Sequence, residues 1–302
     1  MLKELSVQKN TFNNSPGYPM KNIAVLTDFS EGAEHAALYA LHLAKKIKAN
    51  VILHHFSPLP VTRQIPVAHG FTEDEDEETR SERNNTLSAF SLKLEQQLRE
   101  RSFPGTVLPE LTFSDEGDDL VDIMTSPVNS NDVILIITNP VCSEDISSYM
   151  LSAHCRQIMD WATIPVMIVP ETALIRNLEK IAFATVLGCD DANYINGLVS
   201  LVEEFSPEIM ISYLPGKTFI DGDDACITKV IQNVDYGRIY YRRISIDRTE
   251  RNWKWLNDHK KCDLLVFERK SQNKLKDFFN LGHNTQDTHH LTIPVLILPV
   301  MN

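Results

Sequence analysis

Histidines in two places along the chain have the chemistry of metal ligands. His54 and His55 are adjacent in an apolar run, and His283 and His290 are seven residues apart with Asp287 between them. Neighbouring residues of a strand point to opposite faces of a sheet, so His54 and His55 are not expected to bind one ion. We predict no metal site. A weak cation site on one helical face at His283, Asp287 and His290 remains an alternative.

Motifs of the common hydrolases and nucleotide-cleaving enzymes are absent. The sequence contains no G-x-S-x-G segment, which would present a nucleophilic serine, and no G-x-x-x-x-G-K-[ST] phosphate loop. The five cysteines are widely spaced without a C-x-x-C pair, which argues against a disulfide framework or a structural zinc site. We therefore predict a protein without catalytic activity.

Composition restricts the partners and the number of domains. The chain has 302 residues, of which 43% are apolar, and this length favours about two domains with separate cores. The net charge is −12, and a negative surface repels nucleic acids and anionic membranes, so neither is an expected partner. No apolar stretch approaches the roughly 20 residues of a membrane span, and none resembles a signal peptide, so we expect a cytoplasmic protein.

An internal repeat divides the chain. The segment Thr-Ile-Pro-Val-Met-Ile-Val-Pro at 163–170 returns as Thr-Ile-Pro-Val-Leu-Ile-Leu-Pro at 292–299. Upstream, Ile23–Ser30 aligns with Ile181–Gly188, so two homologous halves are predicted. The expected divisions are an N-terminal extension (1–19), a first domain (20–170), a linker (171–179) and a second domain (180–302).

Both halves alternate apolar runs with segments of helical periodicity. In the first half, strands are predicted at Lys21–Thr27, Asn50–Phe56, Val107–Phe113, Asp132–Thr138 and Pro165–Val169, and helices at 33–47, 79–101, 118–125 and 148–162. In the second half, strands are predicted at Lys180–Thr185, Glu208–Leu214, Arg238–Ile244, Asp263–Glu268 and Pro294–Leu298, and helices at 195–205, 226–233 and 253–259. This alternation is typical of an α/β fold with two doubly wound parallel sheets, whose ligand crevice lies beyond the carboxyl ends of the strands.

Residues at those strand ends resemble a known family. Thr27-Asp-Phe-Ser30 after the first strand, the alanine-rich helix that follows, and the final Thr-Ile-Pro-Val strand are similar to universal stress proteins in tandem arrangement. The resemblance implies five-stranded parallel, Rossmann-like domains. It also implies that nucleotide-binding members have an adenine-contacting Asp after the first strand, here Asp28, and a Gly-x-x-Gly, nine residues, Gly-Ser/Thr signature after the fourth.

The first half lacks that phosphate signature. Counting back from Pro165 places Asn139, Cys142 and Ser152 at the three glycine positions and Ala153 at the hydroxyl position. Glycine allows backbone amides to approach phosphate oxygens, whereas a side chain obstructs them. These residues therefore predict a degenerate nucleotide crevice.

The second half departs further from the signature. The same count from Pro294 places Glu268, Ser271 and Leu281 at the glycine positions and Gly282 at the hydroxyl position, and Val186 replaces the Asp. A carboxylate at position 268 would also repel phosphate. No ATP cofactor is therefore expected in either half.

Asp28 and Ser30 have two interpretations that the residues leave open. Either side chain can cap the following helix, which stabilises a helix by about 1 kcal/mol. Alternatively, Asp28 and Ser30 hold the nucleoside part of ATP or AMP in the first crevice, making the protein a single-site nucleotide sensor.

The sequence thus favours a non-catalytic, cytoplasmic stress-response binding or interaction protein of tandem universal stress protein type. The resemblance implies that the last strands, Val166–Val169 and Val295–Leu298, join the two halves as an internal pseudo-dimer. The protein partner is unspecified, and a homodimer would need a different surface. The acidic run 73–78 is predicted to be a solvated loop, or otherwise a docking element for a basic partner.

Overall fold

The computed structural model describes residues 7–8, 21–55, 77–114, 133–139, 162–185, 191–213, 223–243, 262–269 and 292–300. The chain separates into two compact units, residues 1–139 and 140–302. Each unit contains a mostly parallel sheet, which confirms the predicted α/β fold.

The first unit has five strands and two helices in its described part. They are β1 (Val7–Gln8), β2 (Asn22–Thr27), α1 (Glu31–Ile47), β3 (Asn50–His55), α2 (Glu77–Glu100), β4 (Leu111–Ser114) and β5 (Val133–Thr138). Their spatial order is β1-β4-β3-β2-β5, in which only β1 runs antiparallel to its neighbour. After β2 the chain therefore adds β3 and β4 on one side of β2, and it then returns to form β5 on the other side of β2.

Helix α1 is positioned by its alanine face. Small side chains at Ala33, Ala36, Ala37, Ala40 and Ala44 are fully buried, so the helix approaches β2, β3 and β5 closely. The helix starts after Ser30, the N-cap, and ends at a left-handed residue at position 48. Its N-terminus consequently lies at the carboxyl end of β2.

The second unit has six strands, two α-helices and one short 3₁₀ helix in its described part. They are β6 (Val166–Ile168), β7 (Lys180–Thr185), α3 (Asp191–Val202), the 3₁₀ turn Glu203–Phe205, β8 (Glu208–Tyr213), α4 (Asp223–Gln232), β9 (Ile239–Arg243), β10 (Leu264–Glu268) and β11 (Val295–Leu298). Their order is β6-β11-β10-β7-β8-β9. Strand β6 runs antiparallel to β11, with Met167 opposite Leu296, while the other neighbours are parallel.

The two halves share one strand order. Strands β4-β3-β2-β5 correspond to β9-β8-β7-β10, so the direction of strand progression reverses between β2 and β5 and again between β7 and β10. All residues of β10 and β11 are buried, as expected for strands covered on both faces. A doubly wound sheet binds its ligand at such reversal points, so the fold has two candidate ligand crevices.

Three of the differences from the sequence prediction concern β4, α2 and β1. Strand β4 begins at Leu111 instead of Val107, because Pro109 has no N–H for a ladder. Helix α2 already includes Glu77 and Glu78, so a loop at those two positions was wrong; glutamate is a good helix former. The third difference is β1, a short strand inside the predicted N-terminal extension.

Several other predictions fall outside the described residues. These are the acidic residues 73–76, the predicted helices at 118–125 and 253–259, and all of the predicted helix 148–162 except residue 162, which is not helical. Among the helices that the structure does describe, none combines the length and apolarity required to cross a bilayer.

Candidate functional site

The first crevice begins where β2 ends. Thr27 is buried, whereas Asp28 and Phe29 are half-buried and Ser30 is exposed. Thr27 Oγ1 accepts a hydrogen bond from the Phe29 N–H at 3.0 Å, which folds the chain back directly after the strand. The turn places the polar side chains of Asp28 and Ser30 beside the N-terminus of α1.

Asp28 and Ser30 bind each other. Asp28 Oδ1 accepts from the Ser30 hydroxyl at 2.6 Å and from the Ser30 N–H at 3.1 Å. Ser30 Oγ in turn accepts from the Ala33 N–H at 3.2 Å. Ser30 is thus the N-cap of α1, as the capping interpretation predicted, while Asp28 fixes the cap from outside the helix. Nucleoside binding by this pair stays a prediction.

Phe29 has a left-handed backbone, with φ of 63°. This conformation is unfavourable for a bulky residue and is retained only where surrounding contacts support it. Its ring stacks on His55 with centroids 5.0 Å apart and meets Phe90 edge-on at 5.7 Å. An aromatic cluster therefore packs on one side of the crevice; the sequence prediction missed it because Phe29 and Phe90 are distant in sequence.

Asn139 closes the other side of the crevice. It follows β5 directly, is only 6% exposed, and its Nδ2 lies 3.5 Å from Ser30 Oγ. A Cβ built on Gly32 would lie 2.9 Å from the same Nδ2 atom. The Asn139 side chain therefore lies against the first turn of α1, where the family's first signature glycine would leave backbone amides accessible. Cys142 and Ser152, the other predicted positions, lie outside the described residues.

The second crevice contains buried carboxylates. Thr185 ends β7 and donates its hydroxyl to Asp191 Oδ2 at 2.6 Å, and Asp191 is the first residue of α3. Asp191 is fully buried and Glu268, the last residue of β10, is 6% exposed. Since Phe267 pairs with Ala184 in the ladder, Glu268 reaches the same sheet edge as Thr185. The sequence prediction named Glu268 but missed Asp191, whose one signal is an acidic residue at a helix start.

Polar groups also occupy equivalent positions on β3 and β8, half-buried at His54 and fully buried at Ser212. His54 pairs with Leu26 in the first half, and Ser212 pairs with Ala184 in the second. Burial lowers the pKa of His54 from its ordinary value of 6.5 to about 4. Ser212 is fully buried, and within the described part of the chain its Oγ has no hydrogen-bond partner.

The histidines do not assemble a metal centre in the described part of the chain. The stacking of His55 on Phe29 places it on the α2 side of the sheet, so the neighbouring His54 faces the other side. No group of three or more His, Cys, Asp or Glu with metal-binding geometry occurs among the residues described. The alternative site at His283, Asp287 and His290 lies outside them.

Comparison with known proteins agrees with this geometry. Residues 19–170, half of the chain, match the model of the universal stress protein family. No match is found among curated proteins. A universal stress protein of Archaeoglobus fulgidus DSM 4304 superposes with a TM-score of 0.57 at 12% identity, covering 92% of this chain and 96% of its own.

A second solved structure, from Pseudomonas aeruginosa UCBPP-PA14 and also assigned to the universal stress proteins, gives a TM-score of 0.50 at 12% identity. It covers 93% of this chain and 94% of its own length. At this identity the likeness establishes the fold, whereas the match over residues 19–170 establishes the relationship. The chain belongs to the universal stress protein family.

Proposed function

We propose that this stress-response protein acts in the cytoplasm as a non-catalytic binding or interaction protein, and that neither crevice binds ATP. Membership of the family supports the stress-response part. The residues that fill the crevices support the absence of triphosphate binding. The single observation that carries it is the position of Asn139 against the first turn of α1.

A phosphate group at this helix would need accessible backbone N–H groups. The Ala33 N–H already donates to Ser30 Oγ, and the Asn139 amide lies over Gly32. The carboxylate of Asp28 lies beside these groups, with its Oδ1 2.6 Å from Ser30 Oγ. A triphosphate would have to displace Asn139 and approach this carboxylate, and both steps oppose binding.

The second crevice opposes anions more strongly. Asp191 and Glu268 are both buried at the edge where the phosphates of a nucleotide would lie. Bringing a triphosphate towards two carboxylates in a region of low solvent access is unfavourable, because the repulsion is poorly screened there. Both crevices are therefore closed to ATP in this proposed function.

A single-site sensor for AMP or a nucleoside is the second candidate. It is favoured by one observation: Asp28 is half-buried beside Phe29, so a carboxylate and an aromatic ring lie together at the end of β2. Such a pair can hydrogen-bond and stack on a base without needing a phosphate site.

Calorimetric titration of the full chain with MgATP, AMP and adenosine separates the two candidates. Under the main proposal none of the three gives saturable heat below about 1 mM, which corresponds to a binding free energy weaker than about −4 kcal/mol. Saturation by MgATP in the low micromolar range would refute the main proposal.

The sensor candidate is tested with two matched variants. If AMP or adenosine binds, Asp28→Ala should abolish the binding. Glu31→Ala, which removes an exposed carboxylate three residues later on α1, should leave it unchanged. Equal affinities in both variants would eliminate a role for Asp28.

A further inference from the structure

Among the strands that the structure describes, β9 is the last in the order of the second unit. The Ile209 N–H on β8 donates to the Arg238 carbonyl at 2.9 Å, so the backbone groups of residue 238 point towards β8. Because these groups alternate along a strand, the N–H and C=O of Ile239 point away from β8. No residue from 238 to 242 is buried, and Tyr240 is 44% exposed. The outer side of β9 is therefore accessible.

The corresponding edge of the first unit shows what such an edge accepts. Strand β4 occupies the same position in the repeated order, and there β1 pairs with it in antiparallel orientation. Val7 lies opposite Ser114 and Gln8 opposite Phe113. In this fold an extended segment thus extends the sheet at that edge, and in the first half the chain supplies it from its own N-terminal region.

The β9 edge differs from the rest of the protein in charge. The segment 238–243 contains three arginines and no carboxylate, whereas the whole chain has a net charge of −12. Arg238 contacts Glu208 of β8 at 3.8 Å, so its charge is partly balanced, and Arg242 also has an interaction partner within the protein. Arg242 and Tyr240 are two residues apart on β9 and therefore share one face of the sheet. An approaching strand would meet an aromatic ring flanked by cationic side chains.

We propose that β9 is a docking edge that binds an extended, acidic segment of a partner protein as an added antiparallel strand. Backbone hydrogen bonds at Ile239 supply affinity, and acidic side chains at alternate positions of the partner pair with Arg238 and Arg242. A second copy of this chain is disfavoured as the occupant, because pairing β9 with itself would bring Arg238 and Arg242 of both copies to one interface. The inference rests on the proposed interaction role and is independent of whether ATP binds.

Fluorescence anisotropy with a defined peptide tests this edge. The probe is a fluorescein-labelled Thr-Glu-Val-Glu-Val-Glu-Val-Thr peptide, compared with the same peptide carrying Lys in place of Glu. The full-length protein should bind the acidic peptide saturably and the lysine peptide at least about tenfold more weakly. Methylating alternate backbone nitrogens of the acidic peptide should abolish binding, since the added strand would lose its N–H donors.

Variants of the protein locate the site. The double variant Arg238→Glu/Arg242→Glu should weaken acidic-peptide binding at least about tenfold. Arg101→Glu, which reverses an exposed arginine in the first unit, should leave the affinity unchanged. Ile239→Pro removes an outward N–H and should reduce binding, provided that its circular dichroism spectrum matches that of the unchanged protein.

Three results would overturn the proposal. The first is equal binding of the acidic and lysine peptides, and the second is equal affinity in Arg238→Glu/Arg242→Glu and Arg101→Glu. The third is a dimer in sedimentation experiments that the double variant dissociates, which would make a second copy the occupant. None of these results depends on nucleotide titration, so failure of the docking edge and failure of the closed crevices are distinguishable.

Discussion

The two crevices have the same place in the strand order but contain different polar groups. In the first, Asp28 and Ser30 lie at the surface and satisfy each other through local hydrogen bonds spanning two residues. In the second, Asp191 is fully buried and accepts a hydrogen bond from the hydroxyl of Thr185, which lies six residues earlier in the chain. The repeat therefore preserves the strands while each half fills its own crevice, and the family fold alone does not determine what a crevice binds.

The polar residues at equivalent positions of β3 and β8, next to each crevice, also differ between the halves. The first half places an ionisable imidazole at His54, where the second half places the hydroxyl of Ser212. Only the imidazole changes charge between pH 7 and pH 4. This position should therefore add acid sensitivity to the first unit and none to the second.

The largest expected effect is this acid sensitivity. The pKa of His54 is lowered by burial, so the folded unit favours the neutral imidazole. The stability that the first unit gains from keeping His54 neutral is complete above pH 6.5, and it decreases as the pH falls towards 4. The interval from 6.5 to about 4, at 1.36 kcal/mol per pKa unit, corresponds to about 3 kcal/mol. Hydrogen–deuterium exchange of peptides covering β2 and β3 should show this loss, and His54→Gln should remove it.

The control for His54 is its neighbour. His55→Gln should retain the loss of stability between pH 6.5 and 4, because His54 is still present. Glu34, whose pKa is lowered because hydrogen bonds from Lys93 and Gln97 outweigh its burial, loses stabilisation below pH 4.5 in all three proteins. A pH dependence of equal size in His54→Gln and the unchanged protein would show that His54 is not the sensitive group.

The next effect separates the fully buried carboxylate of Asp191 from the half-buried carboxylate of Asp28. Asp191→Ala leaves the hydroxyl of Thr185 without its acceptor in a fully buried position, and it should lower the free energy of unfolding of the second unit by about 2 kcal/mol. Asp28→Ala should cost the first unit only about 0.5 kcal/mol, since water can replace the carboxylate there. Deuterium exchange on β7 and on β2 measures the two values; equal costs would contradict the difference in burial between the crevices.

The strands could be predicted from the sequence because burial on both faces leaves continuous apolar runs. Residues 180–185 form a strand with the predicted bounds, and residues 133–138 differ from the prediction by one position. Strand β1 was missed because two residues carry no periodic pattern, and the strand forms only through pairing with β4. Local pattern thus determines the central strands, whereas tertiary contacts determine this edge.

The sequence predicted where the crevices lie, but it did not predict the side-chain contacts within them. Counting residues placed Asn139 and Glu268 at strand ends, where the structure also has them. The contact of Asn139 with Ser30 joins residues 109 positions apart, and the left-handed turn at Phe29 depends on His55 and Phe90. Such contacts depend on how helices pack on the sheet, which no local pattern encodes.

A smaller effect should follow from removing the N-cap of α1. Ser30→Ala leaves the Ala33 N–H without its side-chain acceptor and should destabilise the first unit by about 1 kcal/mol. Ser30→Thr keeps the hydroxyl and should restore most of the loss. Faster exchange of α1 amides in Ser30→Ala alone checks the prediction, while similar exchange in both variants would show that the hydroxyl does not cap the helix.

The smallest effect tests whether Asn139 truly covers the first turn of α1. Gly32→Ala adds a methyl group 2.9 Å from Asn139 Nδ2, so the amide must move before the helix benefits from alanine. In an Asn139→Gly background the methyl group has room, and the same substitution should stabilise the unit by about 0.5 kcal/mol more. Chemical denaturation of the four proteins gives this coupling. Strictly additive effects would mean that Asn139 leaves the helix N-terminus open, and the argument against phosphate binding in the first crevice would lose its geometric basis.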